Sequence, residues 1–173
     1  MEKLFLDSVR QRFLYYKSLA DKSFSQVSDE ALNYIPAPEN NSIAIIVQHL
    51  HGNMMSRWTD FLSSDGEKEW RQRDAEFEPQ ALSRKQMLAL WEEGWSCLLS
   101  AIDTLQPDDL TKIIYIRAEA HTVVDAINRQ LAHYPYHVGQ IVFLAKLVSQ
   151  ENWQSLSIPK NGSAAFNADK FGK

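Results

Sequence analysis

The chain has 173 residues, of which 45% are hydrophobic and 23% are charged, as expected for one folded domain with a sizeable core. Its net charge of −4 and isoelectric point near 5.7 argue against nucleic-acid binding, which needs a surplus of lysine and arginine. The single cysteine, Cys97, excludes an intramolecular disulfide. Neither a signal peptide nor a membrane-spanning segment is evident. These features predict a cytoplasmic protein that binds neither nucleic acid nor membrane.

Four long stretches of the sequence have the apolar spacing of amphipathic helices. In the second stretch, apolar residues from Ile43 to Phe61 recur three and four positions apart, so they form one stripe on a helix. Asn41 or Ser42 precedes this stretch and Ser83 precedes the third, and these residue types favour helix N-termini. Four such helices predict an all-α protein built as a four-helix bundle. The predicted helices cover residues 4–27, 42–61, 83–105 and 121–149.

The segments between the predicted helices differ in character. Residues 65–80 are charged but include several aromatic residues, which favours an ordered crossover loop. Residues 111–117 are rich in β-branched and aromatic side chains and predict a short extended segment before the last core helix. The tail, residues 151–173, has weak periodicity, and we expect it to wrap over the bundle or to be partly flexible. Because no linker or repeat divides the sequence, we predict a single domain over residues 1–173.

The five histidines lie in two regions, within the second and the fourth predicted helix. His133 and His137 are four residues apart, so on a helix they project from one face with about 6 Å of axial rise between them. This spacing lets two imidazoles bind one transition metal, although a third ligand must come from elsewhere. Both lie on the shoulder of the apolar stripe, which suits a groove reached by solvent. The alternative is a pair of ordinary surface or hydrogen-bonded histidines.

Periodicity alone does not identify the third ligand. His49 and His51 lie on opposite shoulders of the apolar stripe of the second predicted helix. His51 is nearer the centre of the stripe, whereas His49 shares its shoulder with Asn53 one turn later, a polar pair that suits a site. Each histidine is equally compatible with a plain position at the rim of the helix, so the choice stays open at this point.

Several other chemistries are disfavoured because their motifs are missing. The segment from His133 to His137 has tyrosine where a zinc protease has its general-base glutamate. No Glu-x-x-His motif occurs, which argues against a di-iron carboxylate bundle, and no Gly-x-Ser-x-Gly or phosphate loop is present. Pro135, between the two histidines, predicts a helix kink that either has no role or re-aims the imidazoles.

Two segments resemble the DinB-like superfamily, whose marker is a pair of metal-binding histidines followed by Gly-Gln-Ile. Ala126-Ile-Asn-Arg-Gln-Leu-Ala-His-Tyr-Pro-Tyr-His-Val-Gly-Gln-Ile-Val-Phe-Leu-Ala-Lys146 is similar to its last core helix, and Ile45-Ile-Val-Gln-His-Leu-His-Gly-Asn-Met54 to its second. Further segments resemble an uncharacterised bacterial subfamily within it. These are Trp58-Thr-Asp-Phe, Asp65-Gly-Glu-Lys, Trp70-Arg-Gln-Arg-Asp-Ala-Glu-Phe77 and Ser155-Leu-Ser-Ile-Pro-Lys160.

The resemblance implies an up-down-down-up four-helix bundle that holds a divalent metal, Zn or Ni, and is often a homodimer. Carried over by position, the metal ligands are His49, His133 and His137, with His51 at a position where the superfamily tolerates other residues. Pro135 and Ala75 depart from the residues expected at their positions, which bears on local helix geometry more than on the metal.

The resemblance also implies chemistry of low-molecular-weight thiols such as bacillithiol or mycothiol, which are transferred to electrophiles, with isomerases and hydrolases among the members. Three neutral imidazoles leave an open position on a divalent ion, which lowers the pKa of a bound thiol or water. Asn53, Arg71, Arg73 and Arg117 are candidate substrate-binding residues, since arginines suit an anionic substrate. The alternative for each arginine is a solvated surface position.

Two hypotheses of different class follow from the sequence. In the first, the protein is a metal-dependent enzyme, a thiol S-transferase or related hydrolase, that takes a small-molecule thiol and an electrophile as substrates. In the second, it is a non-catalytic dimeric helical bundle that binds a ligand or partner, and its histidines are idle. Turnover that depends on added metal distinguishes the two.

Overall fold

The computed structural model describes residues 1–172, and these are mostly helical, as the sequence predicts. Four helices of 16 to 27 residues dominate the chain. Short 3-10 turns at Asp74–Phe77, Pro107–Thr111 and Gln150–Asn152 join some of the elements. The helices are α1 (Glu2–Phe24), α2 (Asp29–Leu32), α3 (Ile43–Trp58), α4 (Arg84–Thr104), α5 (Val123–Ser149) and α6 (Ser163–Phe171), and the strands are β1 (Ile113–Ile116) and β2 (Glu119–Thr122).

Side-chain caps fix where the long helices begin. The hydroxyl of Ser42 accepts a hydrogen bond from the Ile45 amide at 3.2 Å, so Ser42 rather than Asn41 is the N-cap of α3. Ser83 forms a capping box with Gln86 at the start of α4. Each cap satisfies an amide that the helix itself leaves unpaired. The chain therefore enters α3 and α4 at defined residues, which fixes the helical register of the side chains that follow.

The four long helices pack around one core. Helix α3 lies against α4 and α5, while α1 lies against α5 and α4. Large aromatic side chains fill the centre, and Phe13 makes ring contacts with both Trp95 and Tyr134. The Tyr134 hydroxyl accepts from Trp58 Nε1 at 2.9 Å and donates to Asn53 Oδ1 at 3.0 Å. This pairing satisfies the buried polar atoms that join α3 to α5.

The region before the last helix differs in detail from the prediction. Residues 111–117 were expected to be extended, and β1 does lie there, but it pairs antiparallel with β2 to form a hairpin. The last helix, predicted to start near residue 121, starts two residues later, because residues 119–122 form β2 and α5 begins at Val123. Pro135 lies inside α5, which continues to Ser149.

The hairpin is held against the crossover loop by one carboxylate. Arg117 and Ala118 at its tip both have positive φ angles, 55° and 61°, which a two-residue turn of this kind requires. Asp65 accepts hydrogen bonds from both of their amides at 2.8 Å. The contact offsets the cost of the left-handed backbone and brings the tip of the hairpin beside the loop.

The C-terminal segment contributes little to the core. Helix α6 has no buried residue among those described, and Lys173 lies outside the described residues. The segment is attached further upstream, where the Gln154 amide donates to Gln26 Oε1 at 2.7 Å. No helix within residues 1–172 combines the length and apolarity needed to cross a membrane.

Candidate metal centre

Three histidines from two helices meet at the side of the helical core. His49 comes from α3, and His133 and His137 come from successive turns of α5. The Nε2 atom of His133 lies 3.3 Å from that of His49 and 3.0 Å from that of His137. A set of ring nitrogens, one from each residue, lies within 4.8 Å of one another. This cluster is compatible with a metal site.

The other ring nitrogen of each histidine faces a hydrogen-bond acceptor. His49 Nδ1 donates to Glu76 Oε2 at 2.9 Å, and His137 Nδ1 donates to Gln140 Oε1 at 2.8 Å. His133 Nδ1 makes a longer contact of 3.4 Å with Gln130 Oε1. In this tautomer all three Nε2 atoms carry lone pairs, and they point at one another. Such an arrangement favours a cation between the rings, since three acceptors cannot hydrogen-bond among themselves.

The histidines of α5 are neutral at physiological pH. Burial lowers the pKa of His133 to about 3, and the neighbouring charges of His137 and His49 act in the same direction. Burial also lowers the pKa of His137 to about 4, against the opposing hydrogen bond to Gln140. Because an unfolded histidine takes up its proton near pH ~6.5, these rings contribute stability that decreases as the pH falls from there toward 4.

Glu76 orients His49 and is itself held by Arg71. The Arg71 guanidinium donates to Glu76 Oε1 at 2.7 Å and to Oε2 at 2.9 Å, and it also reaches Glu67 at 3.2 Å. Burial would raise the pKa of Glu76, but the hydrogen bonds from His49 and Arg71 outweigh it and lower the pKa. A carboxylate behind a metal-ligating histidine fixes the ring and its tautomer. Phe77 stacks on a face of the His49 ring, with centroids 4.7 Å apart.

Gly52 leaves the space that the Glu76 carboxylate occupies. A Cβ atom at position 52 would lie 2.6 Å from Glu76 Cδ and still closer to Oε1. The carboxylate would have to shift, and this shift disturbs its bonds to His49 and Arg71. We expect Gly52→Ala to weaken Zn binding by ~10–100-fold, the usual effect of losing a partner behind a ligand, as measured by competition with a chromophoric chelator.

Gly139→Ala is the matched control for this substitution. Gly139 also lies within a helix, α5, but a Cβ atom there would meet nothing within 4 Å. Alanine is the better helix former by ~1 kcal/mol, so Gly139→Ala should keep the helix intact and retain wild-type Zn affinity. Equal Zn affinity for the two variants would show that the position of the Glu76 carboxylate does not depend on the missing side chain of Gly52.

The histidine cluster opens into a cleft of about 370 Å³ lined by polar side chains. Of the candidate substrate-binding residues, Asn53, Arg71, Arg73 and Arg117 all line it. The arginines differ in how accessible they are to a ligand. The Arg71 side chain is 2% exposed and forms ion pairs with Glu76 and Glu67, whereas the Arg73 and Arg117 side chains are about half exposed. His51, the alternative ligand, lies outside the cluster and pairs with Glu93 at 2.9 Å.

Comparisons with known proteins place the chain in a family. A family model described as "Protein of unknown function (DUF1572)" matches residues 1–162. The chain belongs to this family. Among solved structures, this chain is similar to one described as "Crystal structure of the conserved protein of locus from Enterococcus faecalis". The TM-score is 0.62 and the sequence identity 13%, and the match covers 82% of this chain and 95% of that one. At this identity the likeness shows a shared fold. No curated protein matches the sequence.

Several residues of the site could not be identified from the sequence. They lie mainly behind or beside the histidines. Glu76 is not predicted because residues 65–80 lack periodicity, so the sequence does not indicate which of their side chains points inward. Arg57 and Arg129 also line the cleft. Arg57 follows His49 on one face of α3, and Arg129 precedes His133 on one face of α5. Their spacing, eight residues after His49 and four before His133, is the signal that could have found them.

Proposed function

We propose that this protein is a cytoplasmic metal-dependent enzyme of DinB-like type, in which the four long helices form a four-helix bundle with a divalent metal site at its side. The observation that carries the proposal is the convergence of three imidazole nitrogens whose opposite nitrogens are already bound by acceptors. His49, His133 and His137 would hold the ion. Imidazole suits Zn and Ni, and the resemblance to the superfamily favours the same two metals.

The reaction we propose is transfer of a low-molecular-weight thiol to an electrophile, or a related hydrolysis. A divalent ion bound by three neutral imidazoles would lower the pKa of a bound thiol or water. The chain itself contributes orientation and charge. Glu76 and Arg71 fix the His49 ring, Phe77 shields one side of it, and the cleft arginines attract an anionic substrate.

A panel assay tests the proposed reaction. Chelator-treated protein is mixed with small thiols and alkyl or epoxide electrophiles, with and without Zn²⁺ or Ni²⁺, and the loss of thiol is followed. We expect turnover with added metal that is lost in His133→Ala and kept in His51→Ala. Metal binding without turnover of any pair would favour the alternative, a non-catalytic ligand- or partner-binding bundle, and turnover that needs no metal would contradict the proposed role of the histidines.

We also propose that the protein is a homodimer. Tyr136, Phe143 and Leu147 lie on one face of α5 and are exposed, Phe143 to 68%. Apolar side chains that share an exposed helix face are typical of an interface between subunits. The same face borders the histidine cluster through Gln140, which hydrogen-bonds to both Tyr136 and His137.

A further inference from the structure

The cleft beside the histidines carries an excess of positive charge. Five guanidinium groups line it, from Arg57, Arg71, Arg73, Arg117 and Arg129. Three carboxylates pair with them, those of Glu67, Glu76 and the exposed Asp74. The cleft therefore has a local excess of positive charge although the whole chain has a net charge of −4. Such a cleft attracts anions and raises their local concentration.

Arg57 is the most unusual of these arginines because it is buried without adequate partners. It is 4% exposed, and its Nε and Nη1 atoms have no hydrogen-bond partner among the described residues. Its nearest carboxylate, Glu67, is 4.0 Å from Nη2 and already engages Arg71 at 3.2 Å and Arg117 at 3.3 Å. A buried charge with unpaired donors is costly. Because Arg57 also lines the cleft, its charge is available there to an anion through the remaining nitrogen, Nη2.

The local packing keeps Arg57 in this position. Gly66, in the crossover loop, lies against its guanidinium, and a Cβ atom there would be 2.8 Å from Nη1. The Gly66 backbone is fixed on both sides, since its carbonyl accepts from Ser56 Oγ at 2.9 Å and its amide donates to the Tyr115 carbonyl at 2.8 Å. The guanidinium therefore occupies a space that the fold provides for it beside the cleft.

Two helix faces run from the histidines toward these arginines. On α3, His49, Asn53 and Arg57 follow at intervals of four residues, and on α5 Arg129 precedes His133 by four. Residues four apart on a helix share a face and are separated by about 6 Å along its axis. All of them line the cleft. The arginine end is thus about one to two helical turns, roughly 6–12 Å, from the histidine end.

We propose that Arg57 and Arg129 form a subsite for an oxyanion, a carboxylate or phosphate group of the substrate, whose other end reaches the three histidines. This inference rests on the proposed function, which supplies the reacting group at the histidine end. The substrate is then a small, extended anion. Arginine suits this role because its guanidinium keeps its charge and carries N–H donors for either kind of oxyanion. At Arg57 the donor is Nη2, since Nε and Nη1 are enclosed by the protein. Arg73 and Arg117, exposed at the rim, steer the anion inward.

Titration of chelator-treated protein with inorganic phosphate and with succinate, by calorimetry at low ionic strength, tests the subsite. We expect binding of at least one anion, and the tighter of the two identifies the group as phosphate or carboxylate. Arg129→Gln should weaken that binding about tenfold, the effect of losing one charged hydrogen bond. Arg12→Gln, which changes an exposed arginine of α1 outside the cleft, should leave it unchanged.

Arg57→Gln provides the second variant, and Arg129→Gln keeps the test decisive if Arg57→Gln fails to fold. Equal anion affinity in the wild type, Arg129→Gln and Arg12→Gln would overturn the inference, as would the absence of binding by either anion. His133→Ala separates this outcome from failure of the proposed function. It should lose metal but retain phosphate or succinate binding, because the arginines lie at the other end of the cleft.

Discussion

Replacing His133 by alanine is expected to abolish stoichiometric binding of Zn²⁺ or Ni²⁺. His133 is central to the cluster, since its Nε2 atom lies 3.3 Å from that of His49 and 3.0 Å from that of His137. Two imidazoles remain in the variant, and their hold on an ion is much weaker than that of three. The loss should exceed the ~10–100-fold that removing an outer hydrogen-bond partner costs. Competition with a chromophoric chelator at pH 7 measures it.

His51→Ala is the matched control for the ligand substitution. His51 is on the same helix as His49, but its ring nitrogen faces Glu93 at 2.9 Å and takes no part in the cluster. It should bind metal as the wild type does. Equal metal affinity for His133→Ala and His51→Ala would mean that any ion bound by the protein lies elsewhere.

Replacing Glu76 by alanine is expected to cause a large loss of stability. The carboxylate is 9% exposed and accepts from His49 Nδ1 at 2.9 Å and from Arg71 Nε at 2.7 Å. Removing it leaves a buried guanidinium and a buried ring nitrogen without their main partner. Breaking such a pair costs ~3–5 kcal/mol. We expect about 3 kcal/mol, the lower end, because Arg71 keeps its contact with Glu67. Urea unfolding of the metal-free protein measures the change.

The pH dependence of this effect has a definite sign. Because the pKa of Glu76 is lowered in the folded protein, its contribution is present above the pKa of an unfolded glutamate, about 4.3, and decreases as the pH falls below it. The difference between wild type and Glu76→Ala should therefore narrow in acid. Glu78→Ala removes an exposed carboxylate from the same loop and should change stability by less than ~0.5 kcal/mol. A Glu76→Ala variant as stable as Glu78→Ala would contradict the account.

The sequence was sufficient for the features that depend on helical periodicity. His133 and His137 share a face because they are four residues apart, and Ser83 starts its helix because a hydroxyl can satisfy a free amide. The sequence left Asn41 and Ser42 both open as the cap of α3, and the structure selects Ser42. The mostly helical fold followed from the same patterns. The choice of His49 over His51 rested on the resemblance to a family, because the two lie on opposite shoulders of one stripe, and the structure brings His49 to the other two histidines.

The parts of the site that the sequence did not reveal depend on contacts across the chain. Glu76 lies in a non-periodic loop, and its role follows only from where the loop places it against α3. Gly52 has no side chain to suggest a role, and its importance is visible only from the carboxylate beside it. The sequence does not distinguish Arg57 from the other charged residues, since burial without a hydrogen-bond partner is a property of packing. The hairpin of β1 and β2 was not predicted, because Ala118 is not a residue type that favours a left-handed turn.

Anomalous X-ray scattering from crystals of the chain, prepared without a polyhistidine tag and equilibrated with Zn²⁺, tests the metal site most directly. The account predicts one anomalous peak per chain, about 2.0–2.1 Å from the Nε2 atoms of His49, His133 and His137. A peak bound by other side chains, or the absence of any peak among these three rings, would contradict it.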